Sequence, residues 1–227
     1  MLYQLLRGNI DFFSIVAQIL AVLLIIFLIL PLHEWAHAFT ASLLGDKSIK
    51  YRGRLSLNPL SHIDPFGALC MLLFGFGWAK PVPIDPRNFK NPKIGMAVTA
   101  VMGPVSNLVA ALVGMLVRYC LLFFATTFMF SEIGGYVMIF LNFYISCNIG
   151  LAVFNLIPFP PLDGSKVLFV FLSNNAVNFF YKYQQIFTIA LFALLWVGVL
   201  DIPLDILSGG LYNALDTIAR LPFKLLG

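Results

Sequence analysis

Five residues, His33-Glu34-Trp35-Ala36-His37, close a run of about twenty almost uninterrupted apolar residues from Phe12 to Leu32. This placement constrains the chain more than any other feature. On a helix, residues four apart share a face, so His33 and His37 can offer one imidazole each to the same metal ion. Glu34 lies beside them, where a carboxylate can act as general base on a metal-activated water. The spacing is that of a zinc-peptidase helix, written into a segment long and apolar enough to cross a bilayer.

Only 11% of the 227 residues are charged and 60% are hydrophobic, whereas a soluble domain carries roughly 25% charged residues. With several long apolar runs, this indicates a polytopic membrane protein. The fold class expected is all-α, with about four transmembrane helices and a small membrane-associated β-sheet or re-entrant segment between the first and second. One integral membrane domain over 1–227 is expected: a core at about 12–172, a fourth span at about 183–200, and an amphipathic segment at about 207–226. The first run is too long for the apolar core of a signal peptide and carries the metal motif, so it reads as a retained span. The net charge of +4 is not a nucleic-acid signature. Its basic residues concentrate between the first two spans, from Lys47 to Lys93, and such loops stay in the cytoplasm. The active site is therefore expected toward the cytoplasmic side of the plasma membrane. Cys70, Cys120 and Cys147 have no close pairing and read as small apolar residues.

The spans follow from hydropathy and from breaks. The first helix is expected from Asp11 or Phe12 to about Leu44, the second from Ile94 to about Phe130, and the third from Tyr136 to Ile157. The third ends at Pro158-Phe159-Pro160-Pro161, where missing donors and fixed backbone angles forbid helix. Pro65 to Trp78 is apolar, short and glycine-rich, and is expected to re-enter rather than cross. Residues 49–58 alternate apolar and polar, which argues for a half-buried strand. Lys80 to Asp85 is a weaker strand candidate with edge prolines.

Two histidines are one ligand short of a catalytic zinc site, which uses three protein ligands and leaves a fourth position for water. The chain has one other histidine, His62, expected to be a loop residue. Asp163 is the better candidate: it follows the break of the third span, at a depth where an unpaired carboxylate is costly. It can also cap the short helix that follows.

At this point the chain resembles the site-2 proteases, the intramembrane zinc metalloproteases of peptidase family M50. The resemblance rests on the His33–His37 helix, on Gly103-Pro104-Val105-Ser106-Asn107, and on the run from Asn155 through Pro158 and Pro161 to Leu162-Asp163-Gly164, in that order. It implies one zinc ion held by His33, His37 and Asp163, with Glu34 as base. It also implies a sheet near the site to which an extended substrate adds, and it points to Asn107 and Asn155 as substrate-binding residues, the alternative being that they bond neighbouring helices. If 49–58 is the strand that pairs with substrate, Tyr51 and Arg54 on it are further substrate-binding candidates. The expected function is an intramembrane zinc metalloendopeptidase acting on transmembrane or membrane-associated proteins. The expected partners are that substrate, the lipid bilayer, and a second copy or a regulatory membrane protein. No segment fits an added PDZ or CBS domain, so a compact member is expected. The competing readings are another class of membrane zinc peptidase, which would need a glutamate as third ligand, and a non-proteolytic metal-binding membrane protein.

Overall fold

The computed structural model describes residues 11–74 and 77–224. Gly75 and Phe76 of the expected re-entrant segment, and Leu225 and Leu226 of the amphipathic one, lie outside these residues. Helix α1 runs Phe12–Leu43. Asp11 starts it by accepting the Ser14 N–H at 3.3 Å. Within it, Ile25–Ile29 is a π-helical turn, and the Leu30 N–H reaches back to the Ile25 carbonyl. Pro31 accounts for the wider turn: it has no N–H for the Phe27 carbonyl, and its ring crowds that carbonyl.

A short turn, α2 (Ser48–Tyr51), and a 3-10 turn at Pro59–Ser61 lead to α3 (Pro65–Phe74). At 10 residues, about 15 Å, α3 is too short to cross a bilayer. The long helices α4 (Pro92–Phe124) and α6 (Glu132–Leu156) flank the one-turn α5 (Thr126–Met129). Then come α7 (Gly164–Leu168), α8 (Asn174–Lys182), α9 (Gln184–Val197) and α10 (Asp201–Lys224).

Helices α1, α4 and α6 are long and apolar enough to cross a membrane. The bent pair α9–α10 makes a possible fourth crossing, with an 85° turn between the two. The chain is an integral membrane protein. Its main core lies where the three long helices meet. Ala21, Val22, Ile25, Ile26 and Ile29 of α1 pack with Ala110, Ala111 and Met115 of α4 and with Tyr144, Ile145 and Ile149 of α6. Small residues on α4 let the backbones approach closely. The outward faces carry Phe27, Leu28, Val109, Val113 and Val117, all exposed, as suits contact with acyl chains.

Several expectations are corrected. The expected sheet is absent: among the described residues there is only an isolated antiparallel bridge between Ile63 and Ala79. Residues 49–58 are not a strand, because their start is captured by a local acceptor. The Asp46 carboxylate takes the Ser48 N–H at 3.1 Å and its hydroxyl at 2.6 Å, which starts a helical turn. Gly53, at φ +66°, then closes it, its N–H donating to the Lys50 carbonyl at 3.1 Å. Residues 80–85 are extended but have no neighbouring strand. Further on, the expected fourth span is only the 14-residue α9. The segment expected to be amphipathic, at about 207–226, belongs over its described residues to the 24-residue α10, which docks on α4 and α6.

That docking is polar at its centre. The buried Arg118 guanidinium donates to Asp216 at 2.7 Å, to the Tyr212 hydroxyl at 2.7 Å and to Asn142 at 3.0 Å. Tyr119 donates to the same Asp216 carboxylate at 2.6 Å, and Arg220 pairs with its other oxygen at 2.6 Å. Removing one partner of a buried pair strands the other charge, typically at about 3–5 kcal/mol, whereas replacing both by apolar residues costs far less. Asp216→Ala is therefore expected to destabilise the purified protein by about 3 kcal/mol in thermal unfolding. Arg118→Met combined with Asp216→Leu should recover most of that loss.

Candidate active site

The last three turns of α1 carry His33, Glu34 and His37, all buried. The imidazoles stand one turn apart, with their Nε2 atoms 3.0 Å from each other. Asp163 arrives from the far side. Helix α6 stops at Leu156, the prolines carry the chain over, and α7 starts at Gly164, which leaves Asp163 at the helix entrance. Its Oδ2 lies 3.3 Å from His33 Nε2 and 3.2 Å from His37 Nε2. Among the described residues these three form the one group of histidine, cysteine or acidic side chains close enough together to hold a metal ion.

The donor set fits a tetrahedral ion. Ligands about 2.0–2.1 Å from such an ion stand about 3.3 Å from one another. The His37 Nδ1 faces the Thr99 carbonyl at 2.8 Å. A carbonyl only accepts, so Nδ1 carries the proton, and with the ring neutral Nε2 presents a lone pair. That lone pair points at His33 Nε2 and at a carboxylate oxygen, an arrangement that a cation at the common point makes favourable.

Gly103 makes the approach of α4 possible. A Cβ there would stand 2.4 Å from His37 Nε2 and 2.6 Å from His33 Nε2. The Gly-Pro pair thus serves close packing, and α4 runs on through Pro104.

Glu34 is held by an unexpected donor. The Val82 N–H bonds its Oε2 at 3.0 Å, which brings the extended 81–84 segment across the site. Asp46 anchors the far end of that segment, accepting the Asp85 N–H at 2.8 Å and the Asn88 side-chain amide at 2.7 Å. Burial pushes the Asp46 carboxyl up, but hydrogen bonds from Ser48, Asp85 and Asn88 outweigh it and hold the group below the ordinary aspartate range. Gly45, at φ +122°, lies against the same loop, and a Cβ on it would meet the Asn88 carbonyl at 2.8 Å.

His33, Glu34, His37, Asn155, Asp163 and Lys166 all line one cleft of about 510 Å3, walled by Trp78, Val82, Ile84 and Met96. The Lys166 ammonium donates to the Pro161 carbonyl at 2.9 Å and stands 4.0 Å from Asp163 Oδ1. The cleft shares Gly77, Trp78, Leu151, Phe154, Pro161 and Leu162 with an apolar cavity of about 590 Å3. Three other sequence candidates do not line it. Tyr51 is 87% exposed at the end of α2, Arg54 bonds the Ser61 carbonyl, and Asn107 is 1% exposed inside the bundle. His62 is fully buried in the loop, its Nε2 2.7 Å from the Ser56 carbonyl.

The sequence reading missed Val82, Thr99 and Lys166. The first two act through backbone atoms, which leave no mark in the sequence. Lys166 had a signal: it lies three residues after Asp163, one turn on.

A helical membrane body with two imidazoles, a carboxylate and a second carboxylate at one cleft defines a candidate membrane metallohydrolase site. The family model of peptidase family M50, the site-2 protease family, matches residues 21–198, and the chain belongs to that family. It is 39% identical over 137 residues to "Putative zinc metalloprotease YwhC" of Bacillus subtilis, covering 60% of this chain and 62% of that protein. It is 31% identical over 144 residues to "Putative zinc metalloprotease Rip2" of Mycolicibacterium smegmatis, covering 61% of this chain and 52% of that protein. The chain thus spans between half and two thirds of the length of these curated relatives. No solved structure matches it.

Because Gly103 touches both imidazoles, Gly103→Ala must push α1 and α4 apart or swing the rings. It is expected to lower stability by about 1–3 kcal/mol, the usual cost of overpacking. Gly114→Ala, whose Cβ would meet Tyr144 at 2.9 Å, separates this effect from general crowding along α4. In thermal melts both should lose stability, but only Gly103→Ala should alter metal binding.

Proposed function

We propose that the protein is an intramembrane zinc metalloendopeptidase that hydrolyses peptide bonds of transmembrane or membrane-associated proteins. The observation that carries this reading is the convergence of His33, His37 and Asp163 on one point, with the Glu34 carboxylate in the same cleft. Membership of the M50 family and the names of the two relatives support it.

In this reading His33, His37 and Asp163 hold one zinc ion, which supplies Lewis acidity toward water and toward a peptide carbonyl. Glu34 takes the proton of the attacking water and passes it to the leaving amine. The Val82 N–H, already on Glu34 Oε2, keeps one carboxylate oxygen fixed and leaves the other free for that proton. Asn155 lies on the cleft wall, with its side-chain amide turned to the Leu151 carbonyl at 2.9 Å. Its carboxamide oxygen is placed to accept an N–H from an unwound substrate backbone. The adjoining apolar cavity takes the side chains that such a segment brings from the bilayer. Water is proposed to reach the site from the side of the cleft where Lys166 and Asn155 supply polar groups.

Glu34→Gln is expected to retain one zinc per chain and lose peptide cleavage by at least a hundredfold, the usual scale for a lost general base. Asp163→Ala should lose both zinc and cleavage. Metal analysis of the purified variants, with cleavage of a membrane-protein substrate in detergent or liposomes, reads the two effects. Full zinc and full activity in Asp163→Ala would remove it from the ligand set.

The proposed orientation puts residues 47–93 in the cytoplasm, following the basic charge of that loop. Single cysteines at the exposed positions of Lys50 and Lys90, in a chain without the three native cysteines, should react with an impermeant thiol reagent only after the cells are opened. Labelling of intact cells would put the cleft on the opposite side.

A further inference from the structure

A metal-binding histidine usually donates its second ring N–H to a fixed acceptor, which sets the tautomer and the ring orientation. His37 has its acceptor in the Thr99 carbonyl. His33 has none: its Nδ1 is enclosed and without a partner. Buried polar atoms in native proteins are rarely left so. Among the described residues five other side-chain atoms share this condition, and two of them, Oδ1 and Nδ2, belong to Asn107. A carboxamide 1% exposed with both polar atoms idle, inside a membrane protein, is costly unless it serves a neighbour.

The helix register says which neighbour. Helices α1 and α4 run antiparallel: Ala38 and Ala41 share a cluster with Met96, whereas Ile26 and Ile29 share one with Ala110 and Ala111. His37 therefore meets Thr99 and Gly103. His33, one turn earlier on α1, meets Gly103 and the turn beyond it. Asn107 occupies that turn, four residues after Gly103 and on the same face of α4.

We propose that Asn107 is the positioning residue of His33: its carboxamide oxygen accepts the His33 Nδ1–H through one enclosed water, since the two side chains are not in direct hydrogen-bond contact. This pairs two idle atoms at once, His33 Nδ1 and Asn107 Oδ1, and gives each imidazole an acceptor from the same helix. It replaces a role for Asn107 in substrate contact, since its side chain does not line the cleft. The inference rests on the metal-site reading above.

The test is zinc affinity, measured by chelator competition on purified protein, with the melting temperature of the metal-free form as a fold control. Asn107→Leu keeps size and removes the acceptor. It should weaken zinc binding by about 10–100-fold, the range for lost outer partners, and shift the visible spectrum of the cobalt-substituted protein. Asn107→Asp keeps the acceptor and should bind zinc within about threefold of the wild type. A folded Asn107→Leu with unchanged zinc affinity and cobalt spectrum overturns the proposal. If Asn107→Leu does not fold, zinc affinity in Asn107→Asp decides: a loss of tenfold or more overturns the proposal and near-wild-type affinity upholds it. His33→Ala separates the two levels of argument. If that variant binds zinc like the wild type, the metal-site reading fails. If it loses zinc while Asn107→Leu keeps it, only the role of Asn107 fails.

Discussion

Lone pairs from two imidazoles and a carboxylate face one point inside an apolar helical body, and most of the architecture serves that meeting. A carboxylate at such depth must be met by a cation or by donors. Asp163 can reach the histidines only because α6 ends in a run of prolines and α7 begins directly afterwards. The histidines can face Asp163 only because α4 presents a residue without a side chain at Gly103. Thr99 adds the acceptor that fixes one ring. Three separate stretches of chain are thus committed to one small volume, where His33, Glu34 and His37 are buried.

Much of this was legible in the sequence, because it is local. The three long helices follow from apolar length. The His33–His37 pair follows from helical spacing, and the break before Asp163 follows from proline chemistry. The strand at 49–58 failed for a physical reason. Alternation describes a surface with two faces, but a strand also needs a neighbour for its backbone groups, and none is available there. Asp46 competed for the segment with side-chain hydrogen bonds and won. What stayed hidden was long-range or carried by backbone atoms: the Val82 N–H on Glu34, the Thr99 carbonyl on His37, and the Arg118–Asp216 network between residues ninety-eight positions apart.

The two polar centres of the protein differ in kind. At the Arg118 end, charges of opposite sign satisfy one another, and the result is a clasp that fastens α10 to the bundle. At the cleft, acceptors outnumber donors. An imbalance of that sort is poor for stability and suited to holding a cation. The 81–84 segment belongs to both concerns: Asp46 tethers it, and its one buried N–H fixes the base.

The π-helical turn at Ile25–Ile29 carries a further implication. Each residue advances an α-helix by about 100°, so one residue added to a turn rotates everything after it by that angle relative to everything before. The N-terminal and C-terminal parts of α1 are therefore phased separately. The N-terminal part aligns its seam with α4 and α6, and the C-terminal part aims its imidazoles at Asp163. An unbroken α-helix of the same composition would have the same hydropathy trace and the same five-residue motif, yet point the motif more than a quarter turn away from its carboxylate. Whether such a segment is a mere membrane anchor or a chemical site can thus hinge on the bookkeeping of a single turn.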